Sequence, residues 1–381
     1  MSNDGTRRTT PPVLLTVSGS IDTAAAEQSA RGERPRADYL ELARVLPADV
    51  LDYPAAWRAG GWVGRLFARL GAPNLMLARV CFRWRGRYEL IFTDGEQVGL
   101  PFAALERGLG AGRCRPRHVM ITHILSKRKK SVLLDLLGLQ HAVDLFLVYA
   151  THQKRFIEQR WHIPPTRVIY TPFMVDSRFY APELAPPRPT PRPQICAVGR
   201  EARDYPTLLK AVDGLEADVV IAAGSPWSRR ADSLRRAPLP PNVQVRRFSF
   251  VELRQLYADS RFALVPLANV AFQAGITSIL EAMAMGRAVI CSRVPGQTDI
   301  VVDGETGLYV PPGDPAALRA AIEHLLAHPE EAERMGRAGR ARVEQYLNLD
   351  RYAERLARYA AECRRAAPGG MARLGDEPMQ R

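Results

Sequence analysis

The feature that most constrains this chain is an alternation that runs, stops and starts again. Short apolar stretches of strand length, among them PVLLTVSGS, YELIFTD (88–94), RHVMIT (117–122) and RVIYTP (167–172), are separated by segments of helical spacing such as DYLELARVL and KSVLLDLLGL. Unbroken apolar strands need cover on both faces, and helix-length connections between them demand parallel pairing. The pattern therefore predicts a doubly wound α/β sheet. Then APELAPPRPTPRPQ (181–194) places six prolines in a row of polar and small residues. Proline removes amide donors and stiffens the backbone, so this stretch reads as a linker. Beyond it the alternation restarts: QICAVG, a helix over YPTLLKAVDGL, ADVVIAAG, NVQVRRF, a helix over VELRQLYADS, FALVPL, the helix of GITSILEAMAMG, and RAVICS. Two such sheets joined by a linker predict two domains with a cleft between them.

A chain of 381 residues is long enough for two cores. The expected organisation is one sheet domain over 1–180, the linker over 181–194, a second sheet domain over 195–346, a helix over 347–366 that crosses back to the first half, and a disordered tail over 367–381. Asp314 followed by Pro315 predicts a helix start, with the acid as cap and proline as first helical residue.

No apolar run approaches the ~20 residues that span a bilayer. The apolar core of the amino end, VLLTV, is too short for a secretory signal, which gives a cytoplasmic expectation. Five cysteines (Cys81, Cys114, Cys196, Cys291, Cys363) lie far apart with no C-x-x-C pair, so they read as buried free thiols and not as a metal or redox site. The net charge of +13 raises the question of nucleic acid, yet only five of 53 basic residues are lysine and the arginines are scattered. No nucleic-acid partner is expected. The exception is SKRKKS (126–131), where Lys127, Arg128, Lys129 and Lys130 precede an apolar helix. Such a cluster suits peripheral contact with an anionic inner membrane surface or an anionic acceptor, and equally a solvated helix start.

Four segments carry a resemblance: AVGREARDYPTLLKA (197–211), NVQVRRFSFVELRQLYADSRFALVPL (242–267), the run from AFQAGITSILEAMAMG to PAALRAAI (271–322), and VIYTPFMVDSRFYAPE (168–183). The second half resembles the donor-binding domain of the retaining, family 4 glycosyltransferases of GT-B architecture. The fourth segment is similar to the one that closes that family's amino-terminal domain. The resemblance implies two Rossmann-like domains facing a cleft, the first on the acceptor side and the second holding a nucleoside diphosphate sugar. It implies transfer of the sugar to an acceptor with retention of configuration, the acceptor being a small molecule, a saccharide or lipid-linked, without a cofactor. An epimerase acting on sugar nucleotides and a non-catalytic nucleotide-sugar-binding protein remain alternatives on the same architecture.

The residues make physical sense of this. Gly275, Ile276 and Thr277 stand where a loop enters a helix, and the unpaired first amides of a helix suit a diphosphate. Glu281, an acid among apolar residues in that helix, is placed to accept hydrogen bonds from the ribose hydroxyls; the alternative is a solvated acid on a polar face. The family pattern puts an acid seven intervening residues before it, where this chain has Gln273. Glutamine can bond a sugar hydroxyl but cannot act as nucleophile or carboxylate base, which disfavours a covalent intermediate there. Arg200 matches the family's arginine after the first strand of this half. Arg203 stands nearest the role of its lysine, gripping phosphates or pairing with Asp204. No aspartates are spaced D-x-D, so arginines and helix amides would balance the leaving charge without a metal. In the first half, His123 follows the strand RHVMIT, where many family members place a histidine towards the sugar; the alternative is a structural histidine. Gly19 is a candidate for the donor phosphates, although the family's paired glycines are absent there. Asp94 and Glu96 are candidates for acceptor contact, or members of an ordinary turn.

Overall fold

The computed structural model describes residues 12–110, 115–223 and 239–366; the expected tail over 367–381 and Cys114 lie outside them. The first sheet contains β1 (Val13–Thr16), β2 (Ala48–Leu51), β3 (Leu90–Thr93), β4 (Arg117–Thr122), β5 (Leu145–Val148) and β6 (Val168–Tyr170), in the order β2-β1-β3-β4-β5-β6. Every pairing is parallel, with Leu14 set between Asp49 and Ile91 and Phe92 opposite Val119. The connections are helical: α1 (Ala25–Ala30), α2 (Asp38–Val45), α3 (Tyr53–Arg69), α4 (Pro73–Trp84), α5 (Glu96–Leu109), α6 (Arg128–Leu137) and α7 (Thr151–Trp161).

Successive strand residues point to opposite faces, and the core divides accordingly. Leu90, Phe92, Val119 and Ile121 pack with Leu42 of α2, whereas Ile91 packs with Leu77 and Val80 of α4, and Met120 with Leu100 of α5 and Leu134 of α6.

The second sheet repeats the plan with β7 (Gln194–Val198), β8 (Asp218–Ala222), β9 (Val243–Arg246), β10 (Phe262–Val265), β11 (Ala288–Ser292) and β12 (Gly307–Val310), ordered β12-β11-β10-β7-β8-β9 and all parallel. Its helices are α8 (Tyr205–Val212), α9 (Phe250–Asp259), α10 (Ile276–Ala284), α11 (Pro315–Ala327) and α12 (Pro329–Arg342). Asp314 caps α11 by accepting from the Ala317 amide, with proline at the first position. The long helical pattern after it is broken, because Pro329 opens a new helix and residues Val343–Leu347 form a π turn.

The last helix, α13 (Leu349–Arg365), belongs to the first sheet. Leu349, Tyr352, Leu356, Tyr359 and Cys363 recur at helical spacing and join the core of β1, β3, β4 and β5. Its entry is held by a clasp in which Val175 donates to Leu347 O and accepts from the Leu349 amide. Arg36 bridges Asp176 and Asp350, each at 2.8 Å. The chain thus passes between the halves twice.

Strand order reverses at two places, between β1 and β3 and between β7 and β10. In open parallel sheets such a reversal leaves a crevice beyond the carboxyl ends of the strands, where ligands bind. The loops that leave β1, β3, β4, β7 and β10 therefore border these crevices.

Candidate functional site

At the second reversal the site is built from two glycines, an arginine and a helix end. Gly275, the residue before α10, has φ +77° and ψ 0°, a left-handed conformation that favours glycine. A Cβ there would stand 2.7 Å from Val265 Cγ1 and 3.3 Å from Arg203 Nη1. No side chain caps α10, so its first amides stay open to a ligand. Gly199, which follows β7, has φ +104°, and a Cβ there would collide with Arg203 Nη2. Arg203 therefore lies between the two loops of the switch point.

The Arg203 guanidinium is anchored from within. Nε and Nη2 donate to Val198 O at 2.9 and 2.7 Å, Nη2 to Ser278 Oγ at 2.9 Å, and Nη1 to Glu201 O at 3.0 Å. One N–H of Nη1, the nitrogen nearest Gly275, is left over from these four bonds. Burial lowers its pKa, with Tyr205 among the groups opposing that shift. The alternative pairing with Asp204 does not occur: that carboxylate caps α8 through the Thr207 amide and hydroxyl. Arg200 sits partly exposed two residues beyond β7.

Glu281 lies on α10 and is only partly exposed. Its carboxylate accepts from Tyr180 Oη at 3.0 Å on one oxygen and from Tyr257 Oη at 2.9 Å on the other. Burial raises its pKa to about 7, against the two phenols and Arg203, which favour the ionised form. Each oxygen keeps a second lone pair for a further donor.

Gln273 precedes α10 in a tight loop, where the Ala274 amide bonds Phe272 O and the Gly296 amide bonds Val270 O. Neither its Oε1 nor its Nε2 has a partner, and both atoms are buried. The neighbouring Gln297 is buried too and donates to Ala274 O at 3.0 Å. A buried amide with neither donor nor acceptor satisfied is unfavourable by ~1–3 kcal/mol per group, unless something else comes to it.

Across the cleft, the loops of the first sheet gather Gly19, Asp94, Glu96 and His123. Asp94 accepts from Thr16 Oγ1 at 2.8 Å and from the Ser18 amide and hydroxyl, each at 2.6 Å, so it holds the turn that carries Gly19. A Cβ on Gly19 would meet nothing within 4 Å. Burial raises the Asp94 pKa, opposed by the Ser18 and Thr16 bonds. His123 is exposed, its Nε2 lies 3.4 Å from Asp94 O, and its ring rests 5.4 Å from that of Tyr149.

Glu96 departs from its expected role as an acceptor contact. It is 2% exposed and accepts from the His123 and Ile124 amides and from Lys130 Nζ at 2.6 Å. Burial pushes its pKa up, but His123, Lys130 and the amide pull it below the ordinary value. It fixes the loop of His123 and is not at the surface.

The basic cluster also divides. Lys130 is committed to Glu96, whereas Lys127, Arg128 and Lys129 are exposed, with the Lys127 ammonium 5.9 Å from the Phe272 ring centroid.

Phe272 and Lys127 belong to opposite halves, and other contacts join the halves beside them. Asp299 accepts from the Thr151 amide at 2.9 Å and its hydroxyl at 2.7 Å, and Gln153 donates to Ala271 O at 3.0 Å.

Sequence reasoning missed several of these groups. Tyr180 and Tyr257, which define the Glu281 environment, stand in segments already singled out, but no local spacing distinguishes them from core aromatics. Asp38, at the start of α2, has its pKa raised by burial, and both Asp94 and His123 act on it electrostatically. Its signal was an acid beside an apolar helical run. Among the described residues no group of three His, Cys, Asp or Glu is placed to hold a metal ion.

Residues 192–328 match the family model described as Glycosyl transferases group 1. The D-rhamnosyltransferase WbpZ of Pseudomonas aeruginosa is 32% identical over 146 residues, which is 38% of this chain and 35% of that protein. The chain thus covers about a third of that relative's length. Among solved structures, sucrose-phosphate synthase from Thermosynechococcus elongatus aligns with a TM-score of 0.66 at 20% identity, covering 91% of this chain and 97% of that one. Anabaena Alr3699/HepE in complex with UDP-glucose aligns with a TM-score of 0.67 at 14% identity, covering 92% and 99%. At such identity the likeness is one of fold, and that fold, two parallel six-stranded sheets meeting at a cleft, is GT-B.

Proposed function

We propose that the protein is a glycosyltransferase of the retaining, family 4 type, which moves a sugar from a nucleoside diphosphate sugar to an acceptor in the cleft. The observation that carries this reading is the buried, unpartnered amide of Gln273 beside the uncapped first turn of α10. Sugar hydroxyls can both donate to and accept from that amide. The diphosphate would lie against the amides of Ile276 and Thr277 at Gly275, with Arg200 and the remaining N–H of Arg203 on its oxygens. The ribose hydroxyls would donate to the second lone pairs of Glu281. His123, with Gly19 near the phosphates, would orient the donor from the opposite wall. Asp94 would face the acceptor side. Two of the similar proteins support the same reading, since one is named a D-rhamnosyltransferase and one was solved in complex with UDP-glucose.

In this reading the bond between the anomeric carbon and the diphosphate oxygen breaks while the acceptor oxygen bonds the same face. The acceptor proton passes to the departing phosphate oxygen. No carboxylate at position 273 is needed, and cationic and amide donors stabilise the leaving charge without a metal. Contact between the halves would exclude water and limit hydrolysis.

The test is incubation with a panel of nucleotide sugars, reading release of nucleoside diphosphate. At least one donor should be turned over, and Arg200→Ala should lower kcat by about 100-fold or more. Interconversion of the sugar without release would favour the epimerase, and binding without any turnover would favour a non-catalytic protein.

A further inference from the structure

The second half of α3 and the start of α4 form a helical hairpin that the site does not use. Gly61, at φ 57° and ψ −134°, breaks α3 into two helical stretches. They pack so closely that a Cβ on Gly64 would stand 3.0 Å from Trp57 O. The outward side carries Trp57, Trp62, Leu66, Leu70 and Leu75, with Trp62 71% and Leu70 67% exposed. Trp62, Leu66 and Leu70 lie four residues apart, so they share one face. Beside them an apolar groove of about 680 Å³ between α3, α4 and α5 is lined by Phe67, Phe82, Pro101 and Leu105, with Arg79 and Arg83 also on its wall.

The charge of this region is one-sided. From Tyr53 to Tyr88 there are seven arginines (58, 65, 69, 79, 83, 85 and 87) and no aspartate or glutamate, more than half of the chain's net +13. Arg58, Arg65 and Arg69 are exposed among the tryptophans and leucines. Arg85 is turned inward to Glu106 at 3.1 Å.

We propose that this hairpin docks the protein on an anionic lipid bilayer surface. Tryptophan and leucine would enter the boundary between headgroups and acyl chains, while the arginines meet lipid phosphates with their stems along the apolar layer. The charge pattern selects this occupant. A second copy of the chain would set the same arginines against each other, and nucleic acid gives no role to a continuous row of exposed tryptophan and leucine. No helix among the described residues is long and apolar enough to cross a membrane, so the contact is one of surface docking. The inference does not depend on the transfer reaction.

The test is flotation of the full chain with phosphatidylcholine vesicles made with and without phosphatidylglycerol. Binding should require phosphatidylglycerol and weaken with salt. The exposed-face variant Trp62→Ser/Leu66→Ser should lose at least about tenfold in partitioning. Arg58→Gln/Arg65→Gln/Arg69→Gln should lose about 100-fold, at ~1 kcal/mol per charge. Both variants should keep the wild-type melting temperature and nucleotide binding. Absence of binding to phosphatidylglycerol vesicles, wild-type partitioning in both variants, or a dimer that Trp62→Ser/Leu66→Ser dissociates would each overturn the proposal.

Discussion

Glu281 concentrates the chemistry of the site in one residue. Its carboxyl has a pKa near 7 in the folded chain against 4.5 for an ordinary glutamate, chiefly through burial. The sign of the consequence follows from where the proton is held. Because the folded value is the higher one, this group's contribution to stability is fully present below pH 4.5 and is lost as pH rises through 7. The amplitude is ~3 kcal/mol at most. Binding runs the other way, since ribose hydroxyls donate best to the ionised form. Nucleoside diphosphate affinity should therefore fall as pH drops through 7, by up to about tenfold per unit. In Glu281→Gln this part of the pH dependence should vanish, leaving only the titration of the ligand phosphates. Calorimetry at pH 6 and pH 8 on both proteins checks it, and the same slope in both would remove Glu281 from the ribose site. Tyr180 shows why a sequence reading of this residue stops short. Its hydroxyl reaches Glu281 across 101 positions, a proximity that only the folded chain creates.

The decisive element is α10 with the loop that enters it. Gly275 is required twice over, by its positive φ and by the space that Val265 and Leu267 leave it. Gly275→Ala should destabilise the protein by about 2–4 kcal/mol, from left-handed strain and overpacking together. It should also weaken diphosphate binding, because the displaced backbone carries the helix amides. Thermal unfolding reads the first effect and calorimetry the second; an alanine variant of wild-type stability would show that the backbone strain is not there.

Elements of this kind were legible where one signal stood alone. The strands β1, β3, β4 and β7 are apolar runs bounded by polar residues, and Asp314–Pro315 marks α11 by its capping chemistry. β5 was hidden because LFLV follows another leucine-rich stretch, where helix and strand spacing cannot be separated. β2 and β12, ADVL and GLYV, are too short and mixed to register. The α3–α4 hairpin did not register, because Gly60 and Gly61 interrupt the helical spacing, and Gly61 makes the sharp turn between two helical stretches.

At the scale of the molecule, two sheets with open switch points are pressed together by elements far apart in sequence. α13 returns to the first sheet, Arg36 ties Asp176 to Asp350, and Asp299 meets Thr151 across the cleft edge. The repeated alternation and the proline linker predicted two sheets and a cleft. They did not predict that Glu96 would be buried beneath His123 and paired with a partly exposed Lys130, because burial of a charge depends on which loops meet. The same arrangement sets Arg203 against Gly275 at the mouth of α10, two residues beyond the unpartnered Gln273 amide, and the proposal is that the diphosphate end of a nucleotide binds there. Isothermal titration of the full chain with UDP, GDP, ADP and dTDP, repeated on Glu281→Ala, tests that claim most directly. At least one of the four should bind, and the variant should lose about tenfold or more of that affinity while keeping its fold. Absence of binding by all four, or equal affinity in the variant, would contradict the account.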